Sequence, residues 1–183
     1  MNEIADRFRN VAADFTRRAL AVPDDGWDRP APCQGWVARD IVEHMLDWMP
    51  AVVVEPAGLA RPAVPPVADD PAAAWVAFTV AMQEWLDEPD VAGHEFDTRH
   101  GPMRFDDAVA MYCIGDIVMH TWDLARATGQ DETLDQEEVH RLYEGMLPVD
   151  DALRASGHYG PRVDVSADAD EQTKLIAFTG RTP

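Results

Sequence analysis

The chain has 183 residues, 46% of them hydrophobic, and a formal net charge of −19. That length fits one domain spanning residues 1–183, with enough apolar content for a core that needs no disulfide staple. The charge excludes DNA, RNA and anionic membrane surfaces as main partners, because each would repel it.

"MNEIADRFRNVAADF" opens an amphipathic helix over residues 2–21, with Ile4, Phe8, Val11, Phe15 and Ala19 at helical spacing. Pro23 and the "DDG" after it end that helix, and "WDRPAPCQGW" (27–36) is a loop punctuated by Pro and Gly. A second helix runs from Val37 to Val54 on the stripe Val37, Ile41, His44, Trp48 and Val52, with Pro50 expected to bend or fray its later part. Residues 55–71 hold five prolines and form a long extended connection.

Asp70 caps a third helix, with Pro71 at its first position and Trp75, Phe78, Met82 and Trp85 on one side. "HEFDTRHGPMRF" (94–105) alternates polar and apolar residues around His-Gly-Pro, as a short hairpin or extended loop does. A fourth helix is expected from Asp106 to Gly129, which serves as its C-terminal glycine, and a fifth over residues 131–147. Residues 157–168 are irregular and polar, and a short last helix spans about 170–178. Four substantial amphipathic helices, one long crossover and almost no strand predict an all-α helical bundle with short extra C-terminal helices.

Two distant cysteines, Cys33 and Cys113, make no spaced framework, which fits a reducing, cytoplasmic setting. No stretch approaches the ~18 consecutive apolar residues of a membrane span. The N-terminus also lacks the apolar core of a signal peptide.

The candidate site lies in "GDIVMHTWDLARATG" (115–129). The inward stripe of the fourth helix reads Val109, Cys113, Asp116, His120, Leu124, Ala127, so an acid and an imidazole face the core one turn apart. His44 occupies an equivalent stripe on the second helix. Burying one polar group without a partner costs about 1–3 kcal/mol, so three need compensation. They compensate one another in one of two ways. Either His120 and Asp116 form a buried pair beside a separate core histidine, or two imidazoles and a carboxylate hold a metal. The second is the ligand set of catalytic zinc, with a position left open.

"PCQGWVARDIVEHMLDW" followed by "GDIVMHTWDLARATG" resembles the DinB-like superfamily, and more specifically the mycothiol-dependent maleylpyruvate isomerase type of actinobacteria. The resemblance spans roughly residues 5–180. It implies a DinB-like four-helix bundle with an up-down-down-up course, and a divalent metal held by His44, Asp116 and His120. Zinc is the first expectation, with nickel, iron and manganese open. The implied activity is a metal-dependent S-transferase using mycothiol as cosubstrate and a small electrophile as acceptor. The family also implies a homodimer. Two departures stand out. The pattern carries glutamate where this chain has Asp116, and the isomerases have a further C-terminal domain that helps form the active site, so isomerisation itself is not expected.

Hydrolysis by metal-bound water is the alternative chemistry. The competing functions are a non-catalytic metal-binding protein and a metal-free, dimeric interaction module. Among neighbouring residues, Cys113 reads as packing rather than as a fourth ligand. Cys33 reads as structural rather than as part of the site mouth. Asp40 either holds the second nitrogen of His44 or caps the helix start. Trp36, Trp48 and Trp122 read as core more readily than as pocket walls. Asp123 is expected to orient a backbone group or Arg126. His94, His100, His140 and His158 are expected at the surface, with His100 reaching the site only if the hairpin folds over it.

Overall fold

The computed structural model describes residues 2–157 and 159–183. The predominantly helical fold begins with α1, Glu3–Leu20. Asn2 caps it by accepting from the backbone N–H of Ile4 at 3.0 Å, and its first and last turns carry acids and arginines of the sign the helix dipole favours. The buried face comprises Ala5, Phe8, Val11, Ala12, Phe15 and Ala19.

Helix α2 covers Ala38–Met49 and runs into a π turn over Pro50–Val54. Proline has no N–H to give the helical ladder, and the chain answers by widening there rather than by fraying. The buried stripe of α2 is Ile41, Val42, Met45, Leu46 and Met49. His44, Trp48 and Val52 flank it half-buried, so the face expected from the sequence is rotated to the shoulder of the helix.

Helix α3, Pro71–Asp87, starts as expected, with Asp70 accepting from the N–H of Ala73 at 2.9 Å and Pro71 in the first turn. Helix α1 packs against α3 and against a later helix, α6 (Gly115–Thr128), and α2 contacts the same two. Between α1 and α3, Phe15 meets Trp75 at 4.6 Å between ring centroids, and the Trp75 indole donates to Thr16 Oγ1 at 3.0 Å.

A four-residue helix α4 (Pro89–Ala92) leads into a hairpin of β1 (Glu95–Thr98) and β2 (Gly101–Arg104), paired antiparallel from Glu95↔Arg104 to Thr98↔Gly101. The strand β2 passes directly into α5, Phe105–Val109. A π turn over Ala110–Ile114 then joins α5 to α6. The expected fourth helix is therefore one continuous path with an internal π turn, and Gly129 ends it with φ 72°, as the sequence implied.

The expected fifth helix starts later than residue 131. Helix α7 is Gln136–Met146, capped by Asp135. Residues ahead of it are held outside the helix by tertiary bonds. The buried Arg18 donates to the carbonyls of Asp131 at 3.2 Å and Thr133 at 2.6 Å, and the Leu134 N–H donates to Gln172 Oε1 at 2.9 Å. A 3-10 turn and helix α8, Asp150–Ala155, follow, neither visible in the sequence pattern. The last helix, α9, covers Glu171–Phe178 and packs on α7, burying Leu175, Ile176, Ala177 and Phe178. Among the described residues, no helix is long and apolar enough to cross a membrane.

Candidate metal centre

Three segments build the site. The first is the loop before α2. Its Cys33-Gln34-Gly35-Trp36 turn closes with the Trp36 N–H on the Cys33 carbonyl at 3.0 Å, and Gly35 takes the left-handed φ of 81° that the turn's third position requires. The loop is stitched to itself through Ala31 and Trp36 at 2.9 Å and to α2 through Ala38 and Arg29 at 2.9 Å. This holds the side chains of Cys33 and Trp36 against the other two segments, α2 and α6.

His44 and Asp116, from α2 and α6, meet with Nε2 to Oδ2 at 3.4 Å, and His120 Nε2 lies 3.5 Å from Asp116 Oδ1. One ligand atom from each of the three residues lies within 4.8 Å of the others. Ligands bound tetrahedrally at about 2.0–2.1 Å stand roughly 3.3–3.5 Å apart, so the two imidazole–carboxylate separations already have that size. Asp116 Oδ2 is buried and has no hydrogen-bond partner. A buried carboxylate oxygen facing an imidazole nitrogen without a bond is the position a cation satisfies. The residues present thus fit a divalent metal.

The site is open on one side. His44 retains 29% and Asp116 23% of side-chain exposure, against 6% for His120. The sequence places all three on the buried face; the structure buries only His120, with Asp116 shifted toward the edge after the π turn and His44 on the shoulder of α2. A shallow cleft of about 520 Å³ beside His44 is lined by Trp36, Asp40, Glu43, Asp47 and Trp48. A larger apolar groove of about 690 Å³ between α1 and α3 contains no metal-ligating side chain.

The far nitrogen of His120 is also fixed. Its Nδ1 lies 2.8 Å from Asp123 Oδ2, and Asp123 is fully buried. Arg181, following α9, donates to both oxygens of Asp123, at 2.7 Å and 2.6 Å. Burial works against charge on both His120 and Asp123, yet the partners outweigh it. Asp116 and Asp123 lift the metal-free imidazole to about 10. His120 and Arg181 draw the Asp123 carboxyl down to about 2. The Arg181 guanidinium is likewise held more firmly charged than usual: its burial is outweighed by the bonds to Asp123.

Cys33 Sγ sits 3.5 Å from Asp123 Oδ2 and 3.6 Å from Arg181. Cys33, His120 and Asp123 therefore make a second group spaced for a metal. Its carboxylate is already neutralised by a guanidinium, which leaves the His44–Asp116–His120 group as the candidate centre.

Other expectations divide. Trp36 lies beside both imidazoles, 5.1 Å from His44 and 5.9 Å from His120 between centroids, and Trp48 stacks on His44 at 6.3 Å. These two are site walls rather than core. Trp122 is core, 1% exposed, with the Arg126 guanidinium on its ring. Asp123 does not orient Arg126, which pairs instead with Glu132 at 2.6 Å; the acid serves His120. Asp40 caps α2, accepting from the Val37 N–H at 2.8 Å.

Cys113 is buried, and that burial, reinforced by Asp116, pushes its thiol far up; it stands outside both ligand groups. His94 is exposed, His140 pairs with Glu171 at 3.1 Å, and His100 is exposed and stacks on Tyr112. His158 lies outside the described residues. Arg181 and Tyr159 were not foreseen. The Tyr159 phenol is raised by burial and then by Asp116, against the pull of Arg181, which puts it within electrostatic reach of the centre.

Comparison with known proteins gives two relatives, both uncharacterized proteins from strains of Mycobacterium tuberculosis. Each is 29% identical over 156 residues, covering 84% of this chain and 84% of its own. No family model and no solved structure matches.

Proposed function

We propose that this chain is a divalent-metal-binding protein of the DinB-like four-helix type, with α1, α2, α3 and α6 as the bundle and His44, Asp116 and His120 as the ligands. We propose further that it is a cytoplasmic, metal-dependent S-transferase that passes a small thiol, of the mycothiol class, to an electrophile. One observation carries the metal reading: two imidazoles from two helices converge on a carboxylate whose buried Oδ2 has no other partner.

When bound, a divalent ion makes a coordinated thiol acidic enough to be a thiolate near neutral pH. The chain's own residues do the rest. Asp123 accepts from His120 Nδ1–H and so leaves Nε2 free to ligate. Trp36 covers both imidazoles and keeps water from that side, while the half-exposed faces of His44 and Asp116 leave a route for the thiol. That openness favours a turnover site over a closed structural one.

The test begins with protein purified without a nickel column. About one equivalent of divalent metal is expected, and His44→Ala and His120→Ala are expected to lose it. No bound metal and no zinc-induced thermal shift would refute the reading. Mycothiol and a chlorodinitrobenzene then separate catalysis from mere binding. A rate no higher than that of the metal-free control leaves a non-catalytic metal-binding protein.

A further inference from the structure

Arg181 is carried to its place by the docking of α9 and by the turn that ends it. Helix α9 is anchored by its buried Leu175, Ile176 and Phe178 and capped by Asp170, which accepts from the Thr173 N–H at 2.7 Å. The helix ends by donating the Gly180 N–H to Ala177 at 3.1 Å and the Arg181 N–H to Ile176 at 3.2 Å, with Gly180 at φ 88°. This paired closure turns the chain sharply and needs glycine at the left-handed position. A second glycine, Gly160, lets the two backbones touch: a Cβ on Gly180 would stand 3.0 Å from the Gly160 Cα. Arg154 ties the same corner together by donating to the carbonyls of Gly160 and Phe178. The Arg181 side chain leaves this corner and grips Asp123 with two parallel bonds across 58 positions of sequence.

We propose that Arg181 is a positioning residue for the metal centre: through Asp123 it fixes the ring of His120 so that Nε2 faces His44 and Asp116. The inference rests on the metal reading above. The physical basis is a chain of three contacts. Asp123 is fully buried, and its described partners are His120, Arg181 and Cys33. Arg181 supplies the only full positive charge of the three that does not depend on the metal. Remove it, and the carboxylate loses what makes its burial tolerable and turns from the imidazole. The His120 ring then rotates about its side-chain bonds, and its ligating nitrogen no longer stays aimed. Partners of ligating histidines have this effect on metal sites generally, at about 10–100-fold in affinity. A guanidinium fork also suits a carboxylate in a way an ammonium does not.

The experiment measures zinc affinity of the intact chain by competition with a chromophoric chelator, for wild type, Arg181→Met and Arg181→Lys. Arg181→Met is expected to bind about 10–100-fold more weakly, and Arg181→Lys to fall between the two, keeping charge without the fork. Cobalt(II) in place of zinc adds a readout that fold stability alone does not move. The visible absorption bands of the Arg181→Met complex are expected to shift from those of wild type. Equal affinities and superposable cobalt spectra would overturn the role of Arg181 while leaving the metal centre intact. A wild-type protein that binds neither ion would overturn the centre and this proposal together. Should Arg181→Met fail to fold, Arg181→Lys makes the same comparison.

Discussion

Asp123→Asn is the substitution whose consequence is easiest to work out. It keeps the size of the side chain and removes its charge. The native carboxylate, itself fully buried, accepts from Arg181 at 2.7 Å and 2.6 Å and faces His120 Nδ1 at 2.8 Å. The amide leaves the buried His120 imidazolium and the largely buried Arg181 guanidinium without the anion that joins them. Removing one partner of a buried pair costs about 3–5 kcal/mol. For a chain of this size each kcal/mol lowers the melting temperature by roughly 2–4 °C, so the metal-free protein should melt some 6–20 °C lower. Thermal unfolding followed by circular dichroism, in the presence of a chelator, reads this directly. A second arm adds Arg181→Met to Asp123→Asn. The orphaned cation is then gone, so the double variant should be no less stable than the single one, and the two effects should not add. A drop below about 3 °C for Asp123→Asn, or strict additivity in the pair, would refute the reasoning.

Four further outcomes are expected. Metal-free protein should lose stability as pH rises: His120 goes from its ordinary 6.5 to about 10 on folding, so its contribution is complete below about 6.5 and disappears toward 10, as a series of urea midpoints would register. Asp123 has the opposite sign, since its carboxyl falls from 3.8 to about 2; its contribution holds above about 3.8 and is lost as pH drops toward 2, visible in acid unfolding. Gly180→Ala should destabilise more than Gly35→Ala in the same melting assay, because both glycines have positive φ but only the Gly180 position lacks space for a Cβ. Asp40→Ala should cost about 1 kcal/mol as a lost helix cap while leaving zinc stoichiometry unchanged; a fall in bound zinc would make Asp40 a partner of His44 instead.

What could be read from the sequence follows a physical line. Local signals survived: Asp70-Pro71 began α3, Gly129 ended α6, and the His-Gly-Pro segment gave the hairpin. The spacing of Asp116 and His120 was legible because one helical turn brings them together whatever surrounds them. Tertiary terms overrode local ones elsewhere. The start of α7 was misplaced because Arg18, more than a hundred positions away, claims the carbonyls of Asp131 and Thr133. Arg181 escaped notice for the same reason, since no short-range pattern ties it to Asp123. Asp123 itself left a trace that was misread. It stands three residues from both His120 and Arg126, so helical spacing alone could not choose between the imidazole and the guanidinium.

The two π turns bear on how the centre is assembled. Both helix paths that carry the candidate ligands contain one, Pro50–Val54 after His44 and Ala110–Ile114 just before Asp116. A regular helix would keep Asp116 in line with the buried Val109 and Cys113, where an unpartnered carboxylate is costly. Widening the helix by one residue just ahead of Asp116 lets the apolar positions stay inside while the acid swings to the bundle's edge, beside His44. Departures from local regularity tend to persist where function constrains the chain. Here the irregular turn stands between the buried Val109 and the half-buried Asp116, which it leaves within reach of His44.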